Sequence, residues 1–332
     1  MSNRANKRTL VDYLVLKLKN SHDKLSHGQT LIISSEESAW EVSNINGSKP
    51  LSFLNSNQEE ADTRIFFIIF KLSFTSYLIQ STDSDILFVA CLLAPQLSER
   101  NITIQYNVPT SAPSYVLCRE LFTLINDDPD PLIALNVNQG KCAQVHGIIH
   151  FVSGCDYLSH LRGFSKSECC KAVLKHLDFI LPPNVQVSDL FSIDPEHQME
   201  RNTFMVKFIC ALYRYKYNSC FKHTETLSSL MYNEVQNESL ETLIDNVRNN
   251  TWHKTIVCQN TIPTYEVLCL HAKRLSYVLH KISITDIGIQ PVINIAAWAW
   301  EFRNFDGLTV PIPIWDTDEN KKSRYYTSSY NA

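Results

Sequence analysis

The sequence predicts a mixed α/β chain, with a largely parallel sheet flanked by helices over residues 1–181 and a mainly helical region over 182–332. Three observations predict it. In the first half, short runs suited to strands alternate with segments of three-to-four-residue apolar period, the order that builds a parallel sheet covered by helices. In the second half the helical period persists and strand patterns fade. The 332 residues are 44% hydrophobic and 19% charged, an ordinary globular composition with enough chain to bury a core.

The elements follow in order. Asn6 to Lys19 reads as a helix, with Leu10, Leu14 and Leu18 at four-residue spacing. Thr30 to Ser34 reads as a strand, and Ser43 to Pro50, rich in Ser, Asn and Gly, as a loop. Gln58 to Leu72 is a helix, Tyr77 to Gln80 a strand, and a very apolar helix starts near Asp83 and runs through Leu93. Asn101 to Tyr106 alternates isoleucine with polar residues, as a strand does; Tyr115 to Ile125 reads as helical. Cys142 to Val152 is a helix stopped at Gly154, and Lys166 to His176 is another. Beyond Leu181-Pro182-Pro183, Phe204, Phe208, Ala211, Leu212 and Tyr215 form one helical face, and Leu268, Ala272, Leu275 and Leu279 a second. Residues after Phe305 read as irregular, because Pro311 and Pro313 break any helix. Trp298 and Trp300 read as core of the helical region.

The totals exclude several classes. A formal charge of −4 rules out a basic, DNA-coating chain, so any nucleic-acid contact must come from local basic patches. Met1 to Arg8 has no apolar stretch of signal-peptide type, and the longest apolar run, Ile86 to Ala94, is too short to span a bilayer. No membrane partner is expected. The ten cysteines show neither a CxxC pair nor a zinc spacing. Reduced, mostly buried thiols fit an intracellular protein, nuclear or cytoplasmic.

Three acidic turns carry the chemistry. The first is Glu59-Glu60-Ala61-Asp62, where a loop enters a helix. Ser56 with Glu59 three residues later also reads as a capping box. The second is Asp83-Ser84-Asp85, between a strand and an apolar helix, where either aspartate can serve as an N-cap. The third is Asp156, in Gly154-Cys155-Asp156-Tyr157, after the helix ending at Val152. Carboxyl ends of strands in one parallel sheet share an edge, where open α/β sheets place ligands. Carboxylates gathered there repel unless a cation lies among them. Mg²⁺ or Mn²⁺ suits oxygen ligands, and two such ions about 4 Å apart can activate water and stabilise the leaving oxygen of a phosphodiester. The chain has no G-x-S-x-G and no Walker loop to suggest another route.

These blocks, in this order, resemble those of flap endonucleases and the wider PIN-like nuclease superfamily. Glu60-Ala61-Asp62 resembles their Glu-Ala-Glu block, Thr82-Asp83-Ser84-Asp85 their Thr-Glu-Asp-x-Asp block, and Gly154-Cys155-Asp156-Tyr157 with Arg162-Gly163 their Gly-Ser-Asp-Tyr and Arg-Gly-Ile-Gly block. A narrower resemblance is to uncharacterised, often mobile-element-derived animal proteins carrying a PIN-like domain. It rests on Asn-Gln-Glu-Glu-Ala-Asp-Thr-Arg at 57–64, Ser-x-Asp-x-Asp at 81–85 and His-x-x-x-Gly-Cys-Asp at 150–156, includes Ile262-Pro263-Thr264 through Arg274, and runs from about Lys7 to past Pro313. The resemblance implies a PIN-like domain over 1–181 that hydrolyses DNA or RNA with Mg²⁺ or Mn²⁺. Glu60, Asp62, Asp83, Asp85 and Asp156 would be its metal ligands and catalytic residues. Such a set requires Glu60 to precede the helix proper, because Glu59 and Asp62, rather than Glu60 and Asp62, share a face in a regular helix; Glu59 stays as the spare. Two departures stand. No strand ending in aspartate precedes Gln29, so either the opening of the domain lies outside this chain or the site is incomplete. Leu161-Arg162-Gly163-Phe164-Ser165 also lacks the second glycine of the family's backbone-binding hairpin.

Other residues have competing readings. His146 and His150, four apart, read as a core-edge pair rather than metal ligands, since no third ligand follows. Arg162, Lys166 and Lys171 are candidate nucleic-acid contacts; with Lys175 the lysines can equally form a solvated face. Arg214 and Lys216 stand among Tyr213, Tyr215 and Tyr217, a mixture that suits nucleic acid or helix packing. Arg64 is expected to neutralise the acidic cluster from its own helix. The alternatives to an active nuclease are a catalytically inactive, domesticated module that binds nucleic acid or protein, and a truncated remnant.

Overall fold

Where β-branched and aromatic residues alternate with polar ones, the backbone forms strands, but their partners are mostly sequence neighbours running antiparallel. The computed structural model describes residues 4–58, 60–106, 112–126, 142–155, 158, 161, 163–182, 186–223, 225–231, 239–257, 262–305 and 308–314. Asp156, Arg162 and Glu59, all named from the sequence, lie outside the described residues. The chain divides into two units, Met1–Tyr77 with Ile284–Val292, and Leu78–Ser283 with Ile293–Ala332. The 181/182 position falls inside the larger of them.

In the smaller unit, α1 (Arg4–Lys19) precedes a three-stranded meander of β1 (Thr30–Ser35), β2 (Ser38–Ser43) and β3 (Gly47–Pro50). Both pairings are antiparallel, with Ile33 opposite Trp40 and Glu41 opposite Lys49. Helix α2 (Ala61–Lys71) follows. Ala39, Leu54 and Phe67 are buried together, with Ile32, Leu51, Ile68 and Leu72 packed against them. The segment Ile284–Val292 is fastened to the loop before α2. Asn57 Nδ2 donates to the Gln290 carbonyl at 2.9 Å, and the Gln290 amide donates back to Asn57 Oδ1 at 2.8 Å. Gln58 Nε2 donates to the carbonyls of Thr285 and Ile287 at 2.8 and 3.0 Å. Gly288 is required there, because a Cβ would lie 2.5 Å from the Asn55 carbonyl and 2.7 Å from the Phe67 ring.

The larger unit is mainly helical. Its sheet has the order β4 (Ser76–Ser81), β5 (Asn101–Tyr106), β6 (Ser114–Leu117). Helices α3 (Asp85–Leu92) and α4 (Ala94–Leu97) connect β4 to β5, and β5 pairs antiparallel with β6. Then come α5 (Cys118–Asn126), α6 (Cys142–Val152), α7 (Lys166–Lys175), α8 (Leu177–Ile180), α9 (Gln198–Lys216), α10 (Leu227–Met231), α11 (Leu240–Val257) and α12 (Tyr265–Ser283). Of the helical faces expected from sequence, Phe204, Phe208, Ala211 and Leu212 on α9 and Leu268, Ala272, Leu275 and Leu279 on α12 are buried, whereas Tyr215 on α9 is only partly covered. The two helices pack on each other.

The structure corrects several expectations. The described strands form three small sheets in place of one largely parallel sheet, with antiparallel pairing in the meander, between β5 and β6, and in a terminal hairpin. The expected loop at 43–50 contains β3, whose pairing with β2 supplies what its Gly and Pro lack in strand propensity. The start of the expected 115–125 helix is strand β6. The irregular region after Phe305 contains β8 (Leu308–Pro313), antiparallel to β7 (Trp300–Phe305). In a two-stranded ribbon each strand is an edge, which is where Pro311 and Pro313 are tolerated. Trp300 is buried on β7, whereas Trp298 is only partly covered.

Candidate functional site

The strand β4 delivers the chain to Ser81, and the next four residues form a turn built from their own side chains. Ser81 Oγ accepts from the Asp83 amide at 2.9 Å, and Asp83 Oδ1 accepts from the Asp85 amide at 2.9 Å. Asp83 therefore satisfies an amide that α3 leaves open, as a short acidic side chain at a helix start does. Asp85 is the first residue of α3 and lies at the positive end of its dipole. Asp83 is exposed and Asp85 partly buried.

Helix α6 brings a third group. It crosses close to α3 at Gly147, where a Cβ would lie 2.6 Å from Leu92 Cγ and 3.0 Å from the Phe88 carbonyl. Asp85, Phe88 and Leu92 share one face of α3, and Gly147 and His150 share one face of α6. The close approach therefore presses His150 against Asp85 and Phe88. His150 Nε2 is 2.7 Å from Asp85 Oδ1. Its ring stacks on Phe88 with centroids 3.8 Å apart and planes 12° from parallel. Its side chain is 3% exposed, so the ion pair or hydrogen bond it makes is shielded from water.

Helix α7 brings the fourth. Ser165 caps it through a reciprocal pair with Glu168: Ser165 Oγ accepts from the Glu168 amide at 3.2 Å, and the Ser165 amide donates to Glu168 Oε2 at 2.8 Å. The capped start fixes Lys166, whose Nζ lies 2.8 Å from His150 Nε2 and 3.8 Å from Asp85 Oδ1. Nε2 has a single hydrogen-bonding direction, so its contacts with the carboxylate and with the ammonium are alternatives. The His150 hydrogen bond holds the Asp85 carboxyl below the ordinary carboxylate range; burial opposes this, and the charges of His150 and Lys166 reinforce it.

Of the residues expected from sequence, Asp83 and Asp85 lie in one turn and Lys166 joins Asp85. Lys171 is exposed further along α7. Glu60 and Asp62 belong to the smaller unit. Glu60 is the N-cap residue of α2 with extended backbone, φ −83° and ψ 133°, so it does precede the helix proper; Asp62 is in the first turn. Ser56 Oγ accepts from the Gln58 amide at 3.1 Å. Arg64 has partners that its place among acids did not announce. Its guanidinium donates to the carbonyls of Ser56 and Gln58, at 3.2 and 2.5 Å, and to Ser34 Oγ at 3.4 Å. These bonds clamp the loop that leads to α2.

The histidine pair also divides. His146 Nδ1 bonds the Cys142 carbonyl one turn back at 3.0 Å, while His150 turns to Asp85. His150 was legible only as a core-edge residue, although it opens the His-x-x-x-Gly-Cys-Asp block. Its neighbours on α6 are so apolar that its polar partner could be supplied only by another helix.

Asp83 and Asp85 offer oxygen donors of the type that Mg²⁺ or Mn²⁺ takes, and the hydrogen bonds they make among the described residues run through Oδ1. Mg²⁺ is commonly held by one or two carboxylates, with water and substrate phosphate completing its shell. The pair therefore fits such an ion in donor type and in number. Among the described residues no group of three or more His, Cys, Asp or Glu side chains is placed to hold a metal. No family model, curated protein or solved structure matches the chain.

Proposed function

We propose that the chain is a metal-dependent nuclease of PIN-like type, hydrolysing phosphodiester bonds in DNA or RNA. One observation carries this reading: a carboxylate, an imidazole and an ammonium meet at Asp85, beside the second carboxylate of Asp83. The resemblance of the acidic blocks to that superfamily supports it. Asp83 and Asp85 would hold Mg²⁺ or Mn²⁺, which supplies an activated water and neutralises charge on the phosphoryl group. Lys166 provides positive charge for a non-bridging phosphate oxygen. His150, buried and stacked on Phe88, fixes the orientation of the Asp85 carboxylate and can hold a proton at Nε2. Glu60, Asp62 and Asp156 remain part of the ligand set that the resemblance implies.

A specific observation favours a second reading, a catalytically inactive module that binds nucleic acid or protein. Asp85 Oδ1 is already engaged by His150 and Lys166, so an incoming cation must compete with two groups held in place. One experiment separates the readings: cleavage of single-stranded, flap and hairpin DNA and RNA with Mg²⁺ or Mn²⁺, beside the Asp83→Ala/Asp85→Ala double variant. Metal-dependent cleavage that disappears in the variant establishes the enzyme. A folded protein that cuts no substrate supports the inactive module.

A further inference from the structure

The last turn of α9 collects positive charge well beyond what its surroundings call for. Residues 201–224 contain no Asp or Glu in a chain whose net charge is −4. Tyr215 and Lys216, adjacent on α9, meet two positions of one α7 face: Lys175 Nζ lies 5.7 Å from the Tyr215 ring centroid, and Lys216 Nζ is 3.1 Å from Glu168 Oε1. Lys171 lies one turn before Lys175 on that face. Arg214 reaches past the end of the helix to Asn218 Oδ1 at 2.5 Å and lies 4.5 Å over the Phe221 ring. Lys254, from α11, donates to Ser219 Oγ at 2.8 Å, just beyond the same helix end. Lys222, next to Phe221, is exposed.

Helix packing and the helix dipole account for part of this. A helix carboxyl end carries about half a negative charge. Over residues 168–178, 214–225 and 254 the cations are Lys171, Lys175, Arg214, Lys216, Lys222 and Lys254, and the carboxylates are Glu168, Asp178 and Glu225. These stretches therefore carry six cations against three carboxylates and half a dipole charge, and Lys171, Lys175, Lys222 and Lys254 are solvent-exposed. Excess like charge on a folded surface is self-repelling, and it is relieved by a polyanion whose counterions the protein displaces. The half-buried rings of Tyr215 and Tyr217 between these cations suit a strand whose bases are not paired.

We propose that the cluster around the carboxyl end of α9 is a sequence-tolerant docking surface for the phosphate backbone of single-stranded DNA or RNA. It rests on the nucleic-acid reading above and extends it to residues outside the acidic turn. The probes are fluorescein-labelled oligo(dT) and oligo(U) 20-mers, with a polyglutamate peptide as the rival polyanion. Anisotropy is read in EDTA, so that cleavage does not contribute. The Lys171→Gln/Lys175→Gln/Lys222→Gln variant is expected to unfold at the wild-type temperature. It should weaken oligonucleotide binding about tenfold or more and flatten the slope of log K against log salt by about 2, from roughly 0.7 per lost phosphate contact. Lys24→Gln/Lys49→Gln/Lys71→Gln removes the same charge elsewhere and should leave the slope unchanged.

An unchanged slope in the first variant, an equal loss in the second, or polyglutamate binding as tightly as the oligonucleotides overturns the proposal. A wild-type chain that binds neither oligonucleotide overturns it as well. The relative affinities of the two oligomers state whether DNA or RNA is preferred. Asp83→Asn/Asp85→Asn keeps the two proposals apart, since it should abolish cleavage while retaining the wild-type salt slope. A slope that falls with the lysines when no cleavage is ever seen sinks the enzyme and leaves the surface standing.

Discussion

In the smaller unit, the acidic turn at Glu60 and Asp62 follows Asn57 and Gln58, whose amides are committed to the carbonyls of residues 284–292. In the larger unit, the turn at Asp83 and Asp85 follows two short polar residues, and there the carboxylate itself is partnered, by a buried imidazole and an ammonium. The two stretches look alike in sequence, each a polar run entering an apolar helix with two acids around its start. Their difference shows that the conspicuous residue of such a block need not be the one that holds the fold. At 57–62 the neighbours of the acids fasten a distant segment; at 83–85 the acids occupy the junction of three helices.

The contrast extends to how the units answer acid, where the largest effect is expected. In the larger unit, burial pushes the His271 imidazole down to about 3, aided by the nearby Arg274 charge and opposed by its hydrogen bond to the Val152 backbone. Its Nε2 has no hydrogen-bond partner among the described residues, so protonation there would bury an unpaired N–H. His176, also in this unit, is lowered to about 4, mainly by burial and then by Lys175 and Arg214. A histidine depressed in the folded state contributes stability that is whole above its unfolded value near 6.5. That stability is lost as pH falls toward the folded value. The larger unit should therefore weaken as pH falls from 6.5 toward about 3, at roughly 1 kcal/mol per pH unit from His271 alone, with His176 adding over the upper part of the window. Urea unfolding between pH 7 and 4, read by segment-resolved amide exchange, tests this. A smaller unit that weakens in parallel would break the contrast.

Next in size is the amide clamp. Asn57→Ala/Gln58→Ala removes four hydrogen bonds between side chain and backbone. At about 1 kcal/mol each, with carbonyls left unpaired, the smaller unit should lose about 3–4 kcal/mol. The same exchange measurement should show residues 284–292 losing protection first. Retained protection there would mean that Gly288 and the packing around Phe67 hold the segment without the amides.

The third effect sharpens the larger unit's side of the comparison. Gly147→Ala puts a methyl group where Leu92 and the Phe88 carbonyl already lie, and overpacking of this kind costs about 1–3 kcal/mol. Leu92 can shift in part, but the Phe88 carbonyl belongs to α3 and moves only with the helix. The variant should therefore lengthen the His150–Asp85 contact as well as lower the unfolding midpoint. Imidazole NMR shifts of His150 follow the contact directly, and a shift unchanged from wild type would detach the site's geometry from this crossing.

Much of the helical architecture was legible because it is local. The faces of α9 and α12 repeat every three to four residues, and each buried residue can be read from its own segment. The sheets were less legible because pairing is not local. Gly47 and Pro50 read as loop until β2 lies beside them, and Pro311 and Pro313 read as irregular until they fall on an edge. The site divided the same way. Asp83 and Asp85 announce themselves by spacing at a helix start. His150 did not, since its significance depends on a glycine one turn earlier that brings α6 against α3. The loop clamp of Arg64 was hidden for the same reason, because proximity in sequence to acids said nothing about the carbonyls it reaches.

The smallest effect on stability is expected at Glu60 and Asp62. Glu60 makes no side-chain capping bond at the start of α2 and is exposed, and Glu60→Gln/Asp62→Asn keeps the shape and an oxygen acceptor of each side chain while removing the charge at the positive end of the helix dipole. The smaller unit should change by less than about 0.5 kcal/mol, as surface substitutions do, against the loss expected from the amides only two to three residues earlier. Run beside a Mn²⁺ titration, the same variant reads what these carboxylates serve. An unaltered fold with weakened Mn²⁺ binding assigns them to a ligand, which is the role their block implies. A fold weakened by as much as in the amide variant, with Mn²⁺ binding unchanged, would place them with Asn57 and Gln58 as parts of the clamp, and the two acidic turns would then share nothing but their composition.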